Sequence, residues 1–291
     1  MKRTVIHEVW TPTQHLALWL GAWVTGHEGY DFVYDALGRL GGPGALLDDG
    51  PSVGFELTDA TIPDVLDADS GLGRADFLRL IRAVTDGSEW SRETEPPVRL
   101  ILSGAGDPPM LPAGLEVARE AAAAGAAIVV KDAEPEWSHI IVPAHGGKPW
   151  QWFSTDELLP QPHHLGIGEA DYMLAEATRQ TAATIAAMNP GASAVSARGI
   201  RGSSTPDPQL MVGMLDDHFD LAHIPDAVPR RAASLIARAD KVASIVTVAQ
   251  GAESGVGSAT FDPQLIPLWC NIRMARIAAV DYAVREWAAD F

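Results

Sequence analysis

The apolar positions along the chain follow two patterns. In the first half, short apolar runs alternate with loops and short helical stretches, whereas in the second half apolar residues recur every three or four positions. The short runs predict strands over residues 4–10, 53–57, 98–103, 127–131, 139–142 and 150–153. The helical spacing predicts one helix that begins at Pro12 and further helices over residues 31–40, 74–84, 115–124, 166–188, 208–221, 230–250 and 263–289.

The clearest unit of the chain is a strand, a helix and a second strand in succession. Two β-rich runs, residues 98–103 and 127–131, flank the helix over 115–124, and Gly125 is placed to end that helix. Consecutive strands joined through a helix form a parallel pair with a right-handed crossover in most folds. The pattern therefore predicts a βαβ unit over about residues 98–131.

The fold class that follows is α/β or α+β, with a small, partly parallel sheet and a helix-rich C-terminal half. The change of pattern divides the chain into a mixed α/β region, residues 1–160, and a helical region, residues 161–291. The helices of the second region either pack on the sheet as one domain or form a domain of their own.

The last predicted helix carries a long apolar stripe. Ile277, Val280, Val284 and Trp287 recur at i, i+3, i+7 and i+10. Such a stripe is typical of a core or of an interface between subunits. It leads us to expect a homo-oligomer, most simply a homodimer, formed through the C-terminal helix.

The net charge of the chain limits the classes of partner that it can bind. The 291 residues carry 38 acidic and 21 basic side chains, a formal net charge of −17. A chain this acidic repels phosphate backbones and anionic lipid, so nucleic acid and membrane surfaces are poor partners. No apolar run reaches the roughly 18 residues of a membrane span, and the N-terminus lacks the pattern of a signal peptide. We therefore expect a cytoplasmic protein.

The common local signatures of catalysis are missing from the chain. There is no phosphate-binding glycine loop, and the single cysteine, Cys270, excludes an intramolecular disulfide. Cys270 lies in the apolar start of the last helix, which predicts a buried, unreactive thiol. Residues 50–54 match G-x-S-x-G, but an acidic loop precedes the serine and a strand follows it, so the nucleophile elbow is not expected there.

The loop over residues 104–114 is the first candidate ligand site. Loops at the carboxyl ends of parallel strands bind ligands in open α/β sheets. Gly104 and Gly106 would let the backbone approach a ligand, Asp107 could accept a hydrogen bond, and Lys131 and Asp132 would share the rim at the end of the neighbouring strand. The alternative is that the Asp-Pro-Pro sequence is ordinary turn chemistry.

Histidines provide a weaker candidate, a metal site. The residues concerned are His139, His145, His163 and His164. Two histidines and a carboxylate would suit zinc or iron and leave a position open for water. The spacings are not diagnostic of a metal site.

Two tryptophans lie on one face of a predicted strand. Trp150 and Trp152 alternate with Gln151, so their indoles point the same way. They could stack on a ligand, but core packing is the commoner role of such a pair.

Three phrases of the sequence resemble a known group of proteins. They are Gly106-Asp107 followed by Leu111-Pro112-Ala113-Gly114, then His164-Leu165-Gly166 followed by Gly168-Glu169-Ala170-Asp171-Tyr172, and finally Ala237-Arg238-Ala239-Asp240-Lys241-Val242-Ala243. Their order is similar to that in an uncharacterised conserved family of Ala- and Arg-rich bacterial proteins, over the last two-thirds of the chain. The resemblance implies a natural bacterial protein, and it transfers neither an activity nor a catalytic residue.

Two hypotheses about function remain open. The first is a non-enzymatic protein that binds a partner or a small molecule. The second is an enzyme, such as a metal-dependent hydrolase, with its site at the 104–114 loop and Asp107 as a base or a ligand. Convergence of Asp107 with two or more histidines in one cavity would distinguish the second from the first.

Overall fold

The computed structural model describes residues 12–43, 45, 53–59, 72–91, 93, 95–161, 165–188, 224–252 and 262–290. Within these ranges there are seven helices: α1 (Pro12–Val24), α2 (Tyr30–Arg39), α3 (Arg74–Thr85), α4 (Glu116–Ala124), α5 (Ile167–Met188), α6 (Arg230–Ala252) and α7 (Asp262–Ala289). The same ranges contain five strands: β1 (Phe55–Asp59), β2 (Val98–Leu102), β3 (Ala126–Lys131), β4 (Ser138–Val142) and β5 (Trp150–Thr155).

Most elements lie where the hydrophobic pattern predicts them. Each described helix and strand ends within two residues of its expected bounds. Local chemistry explains two of these limits: Gly125 ends α4 in the left-handed region at φ 77°, and the Asp76 carboxylate accepts the Gly73 N–H at 2.9 Å where α3 begins. The predicted strand over 4–10 and helix over 208–221 lie outside the described residues, as do His163, His164 and Ser52.

The strands form one mixed sheet in the order β1-β5-β4-β3-β2. Strands β1 and β5 are parallel, whereas β5, β4, β3 and β2 are antiparallel to their neighbours. A partly parallel sheet with a helix-rich second half is confirmed, and the fold is α+β.

The parallel βαβ unit over 98–131 is wrong. Strands β2 and β3 are antiparallel, with Val98 opposite Val130 and Leu102 opposite Ala126. The Ser103 N–H donates to the Gly125 carbonyl at 2.9 Å, so the chain leaves and re-enters the sheet at the same end. The 104–114 loop and α4 together close this connection, since Leu111 and α4 pack on the same face of the sheet.

Each face of the sheet packs against a different set of helices. The back face consists of Ile101, Val129, Ile140, Phe153 and their neighbours, and it is covered by α4 and Leu111. The front face carries the alternate residues, such as Ile128 and Trp152. These residues pack with the helices other than α4 to form the larger, main core. This division follows from the two-residue alternation of strands.

Helix α7 lies at the centre of the main core, where it contacts α1, α5, α6 and β2. Val280, Val284 and Trp287 of its stripe are buried, and the Trp287 Nε1–H donates to the Ala227 carbonyl at 3.0 Å. The stripe therefore packs within the chain, which removes the basis on which we expected a homodimer. None of the described helices is both long enough and apolar enough to cross a bilayer.

Candidate functional site

A cleft of about 150 Å³ runs along the outer edge of β2, the last strand of the described sheet. This edge cleft is lined by four consecutive residues of β2, by the loop after it, by one face of α7 and by the residue Leu165 before α5. The lining residues are Arg99, Leu100, Ile101, Leu102, Asp107, Met110, Leu165, Met274, Ile277, Ala278 and Asp281. Because residues from both faces of β2 line it, the cleft follows the edge of the strand rather than either face.

Alternate backbone groups of β2 point toward the edge cleft. Pro97 and Ser103 bond to the β3 side: the Pro97 carbonyl accepts from the Lys131 N–H, and the Ser103 N–H donates to the Gly125 carbonyl. In an antiparallel ladder every second residue bonds to the same neighbour. The N–H and C=O groups of Leu100 and Leu102 therefore point away from β3, into the cleft.

One end of the edge cleft is closed by an ion pair. The Arg273 Nε of α7 donates to the Asp107 Oδ2 at 3.0 Å, and its Nη2 donates to the Ala105 carbonyl at 3.3 Å. A Cβ at Gly104 would lie 2.6 Å from the Arg273 Nη1. The group that approaches the Gly104 backbone is thus an arginine of the same chain.

A second ionic cluster borders the other end of the cleft. The Arg99 Nη1 lies 2.5 Å from the Glu95 Oε1, and Lys131 Nζ lies 3.7 Å from the other Glu95 oxygen. Burial lowers the pKa of Arg99, whereas Glu95 and then Asp281 act to raise it. The cleft is therefore apolar along its length and charged at both ends.

The five predicted ligand-binding residues do not lie on one rim. Gly104, Gly106 and Asp107 follow the end of β2, whereas Lys131 ends β3 and Asp132 follows it, and β3 runs the opposite way. The two groups therefore sit at opposite ends of the sheet. A shared rim was wrong because it depended on parallel strands; ligand binding by any of these residues stays a prediction.

Asp132 and His139, which were predicted for different roles, lie together. The His139 Nε2 is 2.6 Å from the Asp132 Oδ2, and its Nδ1 is 2.9 Å from the Ser154 Oγ. The Trp152 Nε1–H also donates to His139 Nδ1, at 3.2 Å. An indole N–H can only donate, so Nδ1 carries no proton and the imidazole proton is on Nε2. Burial lowers the pKa of His139, and Asp132 only partly offsets this effect.

His145 lies in the turn beyond β4, at the other end of that strand. Its Nε2 is 3.2 Å from the Glu120 Oε2, and the Lys148 Nζ is 2.6 Å from the same oxygen. The hydrogen bond from Lys148 lowers the pKa of Glu120. Across the described residues, no group of three or more metal-ligating side chains occurs. His139 and His145 are thus not joined in one site, while a site that uses His163 or His164 stays a prediction.

A larger cavity of about 470 Å³ includes Ser103, Trp269, Arg273 and Arg276. Its two arginines have carboxylate partners, since Arg273 binds Asp107 and the Arg276 Nη2 lies 2.6 Å from the Asp240 Oδ1. Their charge is therefore already balanced within the chain, and we give the edge cleft priority.

The tryptophan pair matches its expected role, whereas Cys270 is half-buried where a buried thiol was predicted. Trp150 and Trp152 are buried on the front face, and Trp152 packs edge-on against Phe55 and Phe77. Burial, followed by the nearby Asp107, raises the pKa of the Cys270 thiol, which makes it a poor nucleophile. Ser154 and Arg273 were missed, because only the tertiary structure joins them to His139 and Asp107.

Mycobacterial proteins are similar to the chain along nearly its whole length. Uncharacterized protein Rv1486c of Mycobacterium tuberculosis (strain ATCC 25618 / H37Rv) is 28% identical over 298 residues, which cover 94% of this chain and 96% of that protein. Uncharacterized protein ML1804 of Mycobacterium leprae is 23% identical over 303 residues, with 94% and 97% covered. No solved structure is significantly similar to the chain.

Two family descriptions account for most of the sequence. Residues 13–165 match the N-terminal domain of the Rv1486c-like proteins, and residues 168–277 match their C-terminal domain. The break between them falls at the start of α5, close to the change of pattern near residue 160. The resemblance to an uncharacterised bacterial family is thereby confirmed, and the chain belongs to the Rv1486c-like protein family.

Proposed function

We propose that this chain is a binding protein whose edge cleft takes an extended peptide segment of a partner protein. The observation that carries the proposal is the orientation of the Leu100 and Leu102 backbone groups, which point away from β3 into the cleft. Extended peptides bind such edges by adding a strand, with main-chain hydrogen bonds for affinity and a pocket for specificity.

The backbone supports this occupant. Leu100 and Leu102 are almost fully buried, and no other described backbone group bonds to their N–H or C=O. Buried backbone groups need hydrogen-bond partners. A peptide strand alongside β2 would supply them at the two-residue spacing of the edge.

The volume of the cleft suits a peptide that inserts one large apolar side chain, its anchor. About 150 Å³ is the space of one large apolar side chain, far less than the roughly 300–1,000 Å³ of drug-sized ligand pockets. Met110 and Met274 line it, and Met110 is 37% exposed at the rim. Methionine side chains adapt to the shape of an apolar guest, so we expect a leucine, methionine or phenylalanine anchor.

The charge of the chain favours a basic partner. The net charge of −17 attracts cationic segments over the range of the screened field. We therefore expect lysine or arginine on either side of the apolar anchor.

A displayed library of random twelve-residue peptides, selected against the purified chain, tests this function. We expect enriched peptides with one apolar anchor between basic residues. Methylation of alternate backbone nitrogens in a selected peptide should abolish binding for one register and spare the other, because only one set of N–H groups faces β2.

Matched variants locate the binding site. Met110→Asp places a charge at the rim of the cleft, while Ile245→Asp places one at an apolar residue of α6 that is exposed (48%) and distant from the cleft lining. We expect at least a tenfold loss of affinity for the first and no change for the second. Selected peptides that bind both variants equally, or that tolerate every methylation, would contradict strand addition at β2.

A further inference from the structure

A continuous hydrogen-bonded series of side chains lies at the end of the sheet opposite the 104–114 loop. It consists of Ser154, His139 and Asp132. His139 lies directly opposite Ser154 in the pairing of β4 with β5, and Asp132 follows the end of β3. The distances along the series are 2.9 Å and 2.6 Å. Three neighbouring antiparallel strands therefore hold these groups in one line.

The proton positions determine which group donates and which accepts at each hydrogen bond of the series. Because Trp152 donates to Nδ1 of His139, that nitrogen is an acceptor, and the Ser154 hydroxyl beside it must donate. The remaining imidazole proton points from Nε2 to the Asp132 carboxylate. This is the protonation order in which an imidazole removes a proton from a serine while a carboxylate stabilises the resulting cation.

Ser154 is also partly exposed, unlike its partner histidine. His139 is only 2% exposed, whereas Ser154 is half-buried. Ser154 lies near the carboxyl end of β5, which is the strand parallel to β1. The carboxyl ends of neighbouring parallel strands are a common location of ligand sites in α/β sheets.

We propose that Ser154 is a base-activated nucleophile that accepts the acyl group of a small carboxylic ester. Its Oγ forms a bond to the acyl carbon as its proton passes to Nδ1 of His139. The bond from the acyl carbon to the alcohol oxygen then breaks, and the alcohol leaves with that proton. Water hydrolyses the acyl-serine by the reverse proton path, which regenerates Ser154 and releases the acid.

Trp152 has a definite part in this arrangement. Its N–H competes with the Ser154 hydroxyl for the Nδ1 lone pair and opposes protonation of the ring. Burial keeps His139 neutral and ready to accept a proton, and the competing Trp152 N–H limits the strength of the base. We expect slow acylation, which a reactive probe detects more readily than substrate turnover.

A fluorophosphonate probe tests the proposal, since the Ser154 Oγ would displace fluoride from phosphorus and leave a stable adduct. Intact mass and peptide mapping of the folded chain should show a single adduct on Ser154. Asp132→Asn keeps the shape of the side chain, and we expect it to slow labelling at least tenfold, because general-base assistance contributes roughly 10²–10⁴-fold to such steps. His139→Gln should abolish labelling.

Two controls test whether labelling is specific to Ser154 in the folded chain. Ser138→Ala removes a serine of β4 whose side chain points to the other face of the sheet, and it should label as the natural chain does. Labelling of Ser154 in the natural chain should vanish in urea. Absence of an adduct on Ser154, or equal labelling rates for the natural chain and a folded Asp132→Asn variant, would show that the series is purely structural.

Discussion

Arg273 of α7 joins Asp107 across 166 positions of the chain, with Nε 3.0 Å from Oδ2. The same guanidinium donates to the Ala105 carbonyl, so one side chain holds the turn after β2 against the last helix. The side chain of Arg273 is 12% exposed and that of Asp107 is 28% exposed. This contact sets the position of the loop that forms one end of the edge cleft.

Removal of this ion pair should destabilise the fold measurably. We expect Arg273→Ala to lower the free energy of unfolding by about 1–2 kcal/mol, since it leaves a partly buried carboxylate and a carbonyl unpaired. Urea denaturation gives the value. Arg79→Ala is the matched control: its pair with Asp76 is on the surface of α3, and we expect a loss below about 0.5 kcal/mol. Equal losses for both variants would contradict the special role of Arg273.

The loss of stability caused by a substitution at Gly104 should depend on whether Arg273 is present. We expect Gly104→Ala to cost up to about 1–2 kcal/mol, because the guanidinium that its Cβ would meet at 2.6 Å can move only by leaving Asp107 and the Ala105 carbonyl. Gly114→Ala, in open space, should be neutral. In an Arg273→Ala background the cost of Gly104→Ala should largely disappear, which a double-mutant cycle measures. Strict additivity would show that Gly104 matters for another reason.

A close contact between α1 and α7 predicts a second pair of residues whose substitutions affect stability together. A Cβ at Gly21 of α1 would lie 2.7 Å from the Cγ2 of Val284 of α7. Gly21→Ala should therefore lower the melting temperature through overpacking that costs about 1–3 kcal/mol, although alanine favours helix. Val284→Ala should suppress part of this loss by making room. A Gly21→Ala chain that is more stable than the natural one would contradict the packing of α1 on α7.

Stability should fall in mildly acidic solution because of His139. Burial holds its pKa below the ordinary value of 6.5 when the chain is folded, so the unfolded chain binds the proton more readily. The stability that neutral His139 contributes is present above pH 6.5 and declines as the pH falls below it. Between pH 7 and 5 we expect a slope of up to about 1.4 kcal/mol per pH unit from this group. Denaturation of the natural chain and of His139→Gln across this range should show a shallower slope for the variant.

Burial keeps His139 neutral even though one of the groups that face it is a carboxylate. Asp132 lies at its Nε2, and Trp152 and Ser154 lie at its Nδ1. Asp132 alone would favour the charged ring, but burial outweighs it. Identical slopes for the natural chain and the variant would mean that other groups dominate the acid response.

The linear sequence determined the secondary structure and the faces that are buried. Periods of two and of three to four residues are local properties, so they located β2, α4, β3 and the stripe of α7 without knowledge of their neighbours. The turn residue Gly125 likewise acted through its own backbone conformation. The resemblance to a bacterial family also came from the order of short phrases.

Tertiary structure alone decided strand direction and the partners of the polar side chains. A strand, a loop, a helix and a strand can return the chain to either end of a sheet. Here the 104–114 loop and α4 together return it to the end it left, which makes β2 and β3 antiparallel. That choice separated Asp107 from Asp132, while the antiparallel pairing of β3 with β4 placed Asp132 beside His139. Contacts such as Arg273 with Asp107, or Ser154 with His139, depend on which strands and helices become neighbours, and no local pattern in the chain records that.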